Sequence, residues 1–160
     1  MNRARAGQRT DGRAGFTLVE LVVVVLILGV IASASVPKIL ARQDKWRVQS
    51  AARHLAHDLR QLSKYALAKS QSYTVTFQLT QDQYVMPTVI DPAHPGQTYQ
   101  VNLRSLYGVD ITLTTIPGMM PQSITWSGHG TPNMPVVVFL ARNSEQAAVI
   151  VSVTGDVASP

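Results

Sequence analysis

The sequence predicts an α+β protein in which a long amino-terminal helix, membrane-spanning in its first half, packs on an antiparallel β-sheet or small β-sandwich. Three observations carry this expectation. From Phe16 to Val36 the chain is apolar over 21 residues, interrupted only by Thr17, Glu20, Gly29, Ser33 and Ser35. Beyond Pro37 the apolar residues recur in steps of three and four, the period of a helix with one buried face. From Tyr73 the period changes to two, the pattern of half-buried strands.

Length and charge narrow the classes. The 160 residues amount to about one domain. The formal net charge of +5 is laid out unevenly. Residues 1–15 carry Arg3, Arg5, Arg9 and Arg13 against Asp11, and residues 16–37 carry Glu20 alone. Residues 38–69 hold eight Lys or Arg against Asp44 and Asp58, whereas the remainder holds two against five acids. The basic character therefore belongs to the amino-terminal part, which disfavours a protein that coats nucleic acid uniformly. The absence of Cys excludes disulfide scaffolds, Cys-ligated zinc, iron–sulfur centres and thiol catalysis.

At about 1.5 Å per residue a helix over 16–36 spans roughly 31 Å, close to a hydrocarbon core of about 30 Å. Leu21 to Leu28 are eight consecutive Leu, Val or Ile residues, so the segment is apolar on every side rather than amphipathic. The four preceding arginines favour an orientation with the amino terminus in the cytoplasm. A cleavable secretory signal ending at Ala32-Ser33-Ala34 is the competing reading, and it would release a soluble binding or enzymatic domain. Glu20 argues against that reading. A carboxylate deep in hydrocarbon costs about 2.5 kcal/mol or more, so it points to a function and a partner.

Gly15-Phe16-Thr17-Leu18-Val19-Glu20 resembles the processing motif of type IV prepilins and type II secretion pseudopilins. The resemblance implies that a prepilin peptidase cleaves residues 1–15 away as a cytoplasmic leader, between Gly15 and Phe16, and that Phe16 becomes N-methylated. Glu20 is then the carboxylate that meets the terminal amine of a neighbouring subunit. Two charges that are each costly in lipid become tolerable as a pair, which favours assembly and sets axial register. Pro37 matches the proline commonly found at the end of the family's apolar segment. Lacking an N–H, it is expected to kink or open the helix near Ser33, or simply to end the helix at the membrane surface. Gly29 and the small residues from Ala32 to Ser35 permit close helix packing.

The amphipathic continuation covers 37–70. Val48, Ala52, Leu55, Leu59, Leu62 and Ala66 form its apolar stripe, with Arg47, Arg53, Arg60 and Lys64 on the other face. The globular β domain follows over 71–160. Tyr73–Leu79, Gln83–Val89, Tyr99–Leu103, Asp110–Ile116, Ser123–Ser127, Val136–Arg142 and Ala147–Thr154 read as strands, separated by turns at 91–96, Pro117-Gly118, 128–132 and 143–145. The nearly continuous apolar runs Val136–Leu140 and Val149–Val151 suggest central strands that form a hairpin. Ser123 to Gly130, together with Val153-Thr154-Gly155-Asp156-Val157, is similar to the end of the globular domain in H-type minor pseudopilins and FimT-like minor pilins. The resemblance does not extend to residues 80–120.

No catalytic constellation stands out. His54 and His57 lie at i, i+3 on one helix beside Asp58, a spacing compatible with a metal. A third ligand is missing, and solvated helix-face histidines are the expected state. His94 and His129 fall in loops, and Ser127-Gly128-His129-Gly130 is not a nucleophile elbow. No enzyme activity, metal or cofactor is expected. The basic helix face suits anionic headgroups or acidic neighbouring subunits, with DNA as the alternative that the FimT-like resemblance raises. The resemblance as a whole implies a single-pass inner-membrane precursor with a periplasmic domain. It implies assembly with major and minor pseudopilins, near the filament tip, by a platform protein and an ATPase, and secreted cargo as a further partner. A minor pilin of a type IV pilus or DNA-uptake apparatus is the alternative.

Overall fold

The computed structural model describes residues 15–114 and 122–159, with the side chains at 34–38, 41 and 114 outside the description. Two compact units divide between Ile39 and Leu40. Helix α1, Leu18–Lys69, belongs to both. It does not end at Pro37, so the reading of that proline as a simple helix stop is corrected. The side chain of Pro37 itself lies outside the described set.

In the second unit α1 buries the stripe that its spacing foretold. Val48, Ala52, Leu55, Leu59, Leu62 and Ala66 are all 1% exposed or less, and Ala51 and Ala56 widen the buried arc. Each of the leucines contributes on the order of 1.5–3 kcal/mol by leaving water. The cover is two antiparallel four-stranded sheets. The first has the order β3-β2-β1-β5, from β1 (Tyr73–Gln78), β2 (Gln83–Ile90), β3 (Thr98–Asn102) and β5 (Ser123–Trp126). The second has the order β4-β6-β7-β8, from β4 (Asp110–Thr114), β6 (Val136–Arg142), β7 (Glu145–Val151) and β8 (Val157–Ala158). Inward residues of both sheets, among them Phe77, Tyr84, Trp126, Leu113, Val138 and Val149, share one hydrophobic core with the helix.

Several elements differ from the expectation for identifiable reasons. The expected third strand stops at Asn102, because the Asn102 side chain accepts the Ser105 N–H at 2.7 Å and starts a short helix, α2 (Leu103–Tyr107). Gly108, at φ 65°, closes that helix. The last long strand runs from Glu145 to Val151 rather than from Ala147 to Thr154. The chain turns between Ser152 and Asp156, and β8 then pairs with β7 through Ile150 and Ala158. The expected hairpin of β6 and β7 is present, with Arg142 opposite Glu145 across Asn143-Ser144 and Asn143 at φ 53°. Both strands are central in their sheet, yet their apolar runs are not buried on both faces: Phe139 is 36% and Ile150 49% exposed. Ile116 and the expected Pro117-Gly118 turn lie outside the described residues.

Polar contacts lock the layers. The buried Asp82, at φ 49°, accepts the Ile111 N–H at 2.9 Å and the Arg104 guanidinium at 3.1 Å, tying the β1–β2 turn to the other sheet. Arg142 donates to Asp44 at 2.6 Å and to the carbonyl of Gly108 at 2.8 Å, joining the helix to the hairpin. The Arg142 and Asn143 donors hold the Asp44 carboxyl below the usual carboxylate range. Gly155, at φ 90°, presses against the backbone carbonyl of Gly130, where a methyl group has no room. Gly155→Ala is expected to lower the unfolding free energy by about 1–3 kcal/mol. Urea denaturation measures this, and an unchanged midpoint contradicts the close approach.

Candidate functional site

The amino-terminal site begins with an exposed Phe16, 83% accessible, followed by Thr17 and the first turn of α1. The Thr17 hydroxyl accepts the backbone N–H of Glu20 at 3.2 Å, and the Thr17 carbonyl accepts the N–H of Leu21 at the same distance. Thr17 is therefore the helix cap and Glu20 the third helical residue, the Thr-x-x-Glu arrangement of a capping box. The sequence reading missed this role of Thr17, although the four-residue pattern was open to inspection. Glu20 stands four residues after Phe16, one helical turn on, where the helix dipole favours a negative group.

Past Glu20, every large apolar residue from Leu21 to Ile31 is about half exposed or more. Isolated water is a poor solvent for such a surface, which on this scale marks a lipid or protein contact. A Cβ on Gly29 meets nothing within 4 Å, so its smallness serves no packing among the described residues. Ser33 Oγ donates to the Val30 carbonyl at 2.8 Å, which satisfies its hydroxyl inside the helix. Among the described residues no helix is long and apolar enough to cross a membrane. Side chains of the expected span are described as far as Ser33, and those at positions 34–36 lie outside the description.

A second polar centre lies in the globular unit. Asp58 occupies the buried face of α1, 6% exposed, between Leu55 and Leu62 in helical register. Its Oδ2 accepts the hydroxyls of Tyr84 at 2.6 Å and Tyr99 at 2.8 Å, and His54 Nε2 stands 3.7 Å away. The Tyr107 hydroxyl is 3.2 Å from His54 Nδ1. The expectation of two solvated histidines is thus corrected for His54, which is half-buried, and holds for His57, which is exposed. His94 Nδ1 bonds Asp91 at 2.9 Å within its loop, and this contact holds the Asp91 carboxyl below its ordinary range. His129 lies in the 127–130 turn, where its N–H donates to Ser127 Oγ at 3.3 Å. Among the described residues no three His, Cys, Asp or Glu side chains gather as a metal site.

A long helix laid on two antiparallel sheets is the fold that this chain shares with solved pilin and pseudopilin structures. Residues 11–36 match the family described as the prokaryotic N-terminal methylation motif. The type II secretion system core protein G of Pseudomonas aeruginosa is 36% identical over 64 residues, covering 37% of this chain and 45% of that protein. The chain therefore spans less than half the length of that relative. Solved structures of two proteins illustrate the shared fold. The type IV minor pilin FimU of Pseudomonas aeruginosa aligns with a TM-score of 0.56 and 11% identity over 71% of this chain and 87% of that one. The minor pseudopilin EpsH from the type II secretion system of Vibrio cholerae aligns with a TM-score of 0.56 and 14% identity over 72% and 94%.

Burial and the Asp58 carboxylate raise the Tyr84 hydroxyl far above its ordinary range, and the same two causes raise Tyr99. Folded-state values raised in this way give a stabilisation that is complete below about pH 10 and is lost as the pH rises and the unfolded chain ionises first. Tyr84→Phe is expected to cost about 1–3 kcal/mol at pH 7, by removing a donor from a buried carboxylate. It should also flatten the fall in stability above pH 10. Urea titrations at pH 7, 10 and 11 test both effects, and an unaltered alkaline slope refutes the assignment.

Proposed function

We propose that this chain is a minor pseudopilin of a type II secretion system, most like the H-type subunit. In this reading the leader 1–15 is cleaved between Gly15 and Phe16, Phe16 is N-methylated, and residues 16–36 anchor the protein in the inner membrane. Residues 71–160 then stand in the periplasm at the end of the amphipathic helix 37–70. The observation that carries the reading is Gly15-Phe16 with Glu20, set at the start of a helix whose apolar half is bare and followed by a helix-on-two-sheets domain. The methylation-motif match and the likeness to EpsH support it. The role is structural, in filament assembly and work on secreted cargo, with other pseudopilins as partners.

The Glu20 carboxylate pairs with the methylated amine of a neighbouring subunit, and Pro37 provides a kink that lets packed helices adjust. The exposed apolar side chains of Leu21–Ile31 find lipid before assembly and neighbouring helices after it. A second reading, a minor pilin of a type IV pilus or DNA-uptake apparatus, has the likeness to FimU in its favour. Deletion of the gene separates the two, by loss of exoprotein secretion in one case and of pilus or DNA-uptake function in the other.

Mass spectrometry of the mature protein is expected to find an amino terminus at N-methyl-Phe16. A start at Ser35 favours a secreted domain, and retention of the arginine-rich leader refutes processing. Glu20→Val is expected to be cleaved normally and to incorporate into filaments at least about tenfold less well, the equivalent of losing about 1.4 kcal/mol of pairing. Quantitative blotting of sheared filaments measures this, and equal incorporation removes the registration role.

A further inference from the structure

We propose that the cleft between α1 and the β2–β3 end of the first sheet binds a lysine or arginine side chain carried by an extended segment of a partner polypeptide. The cleft has a volume of about 340 Å³, at the lower end of the range for ligand pockets. It is two-sided in character. His54, His57, Asp58 and Tyr99 line its polar side, and Met86 and Val89 stand among its apolar walls. An aliphatic stem with a cationic tip matches that division.

The charge of Asp58 is the main argument. Its side chain is 7% exposed, yet its bonded donors are two neutral phenols, and the side chain beside it that can carry a positive charge is the His54 imidazole at 3.7 Å. Among the described residues no lysine or arginine forms an ion pair with it. Arg104 is engaged by Asp82 and Asp110, and Arg142 by Asp44. A buried carboxylate gains most from a full positive charge with directed N–H donors, which a Lys or Arg tip supplies. Residues 54–99, which build the cleft, carry three Lys or Arg against three Asp, so the attraction for a cation rests on Asp58 itself.

The open sheet edge argues for a polypeptide source. β3 pairs with β2 on one side, and among the described residues no strand occupies its other side. The β2–β3 register is also broken between Met86 and Ile90, next to the cleft. A strand added to that edge would place the residue opposite Tyr99 on the same face of the sheet as Tyr99, which lines the cleft. Alternate residues of the added strand would point the other way. The cleft is built within residues 54–99, so the proposal is independent of whether the chain serves a secretion system or a pilus.

The test uses the full chain in detergent micelles with 13C-methyl methionine, following the Met86 methyl signal. The probes are acetylated, amidated Thr-Val-Lys-Val-Thr, its arginine and norleucine counterparts, and butylamine. The lysine and arginine peptides should shift Met86 saturably, with the norleucine peptide and butylamine each at least about tenfold weaker. Asp58→Asn should weaken the lysine peptide about tenfold while the Met134 methyl signal stays in place. If that variant moves Met134, the norleucine comparison on the unaltered chain decides. Equal affinity for norleucine, undiminished binding by Asp58→Asn, or no Met86 shift overturns the proposal. Butylamine binding as tightly as the lysine peptide overturns the polypeptide source.

Discussion

A single helix here must satisfy two unlike surroundings, and the rest of the structure answers to that demand. From Val48 onward its inward side chains are sealed by the two sheets of the same chain, at 1% exposure or less. From Leu21 to Ile31 its apolar side chains have no such cover. The hydrophobic effect acts on both halves, but among the described residues only the second is covered within the fold. Among the described residues nothing covers the first half, and an apolar surface of that extent marks a contact with lipid or protein.

Much of this was legible because it is written as local periodicity. The three-four stripe from Val48 to Ala66, the switch to alternation at Tyr73 and the β6–β7 hairpin each depend on residues close in sequence. What escaped reading depends on distant partners. Asp58 looks like one more solvated charge until Tyr84 and Tyr99, 26 and 41 residues away, deliver their hydroxyls to it. The division of strands between two sheets is equally non-local, since β5 returns to pair with β1 after β4 has joined the other sheet. Helix α2 was hidden for a different reason: an Asn cap and a closing Gly frame only five residues, too few to show a helical period.

Thr17 alters the meaning of Glu20. The motif reading treats Glu20 as a charge reserved for a neighbour, while the capping bond shows its backbone already engaged in starting the helix. The two roles use different atoms and do not compete. A capped first turn orders the backbone that carries the carboxylate, so the Cα–Cβ direction of Glu20 is set by the helix itself.

The Asp44–Arg142 bridge has a mechanical consequence. It grips α1 before the apolar packing begins at Val48, and it runs on through Arg142 to the carbonyls of Tyr107 and Gly108. Tension applied along the helix from its amino-terminal end thus meets an ionic clasp before it reaches the greasy interior. Such a clasp yields by swapping its partners for water and ions, so the stiffness of this joint should soften as ionic strength rises while the packed interior beneath it stays closed.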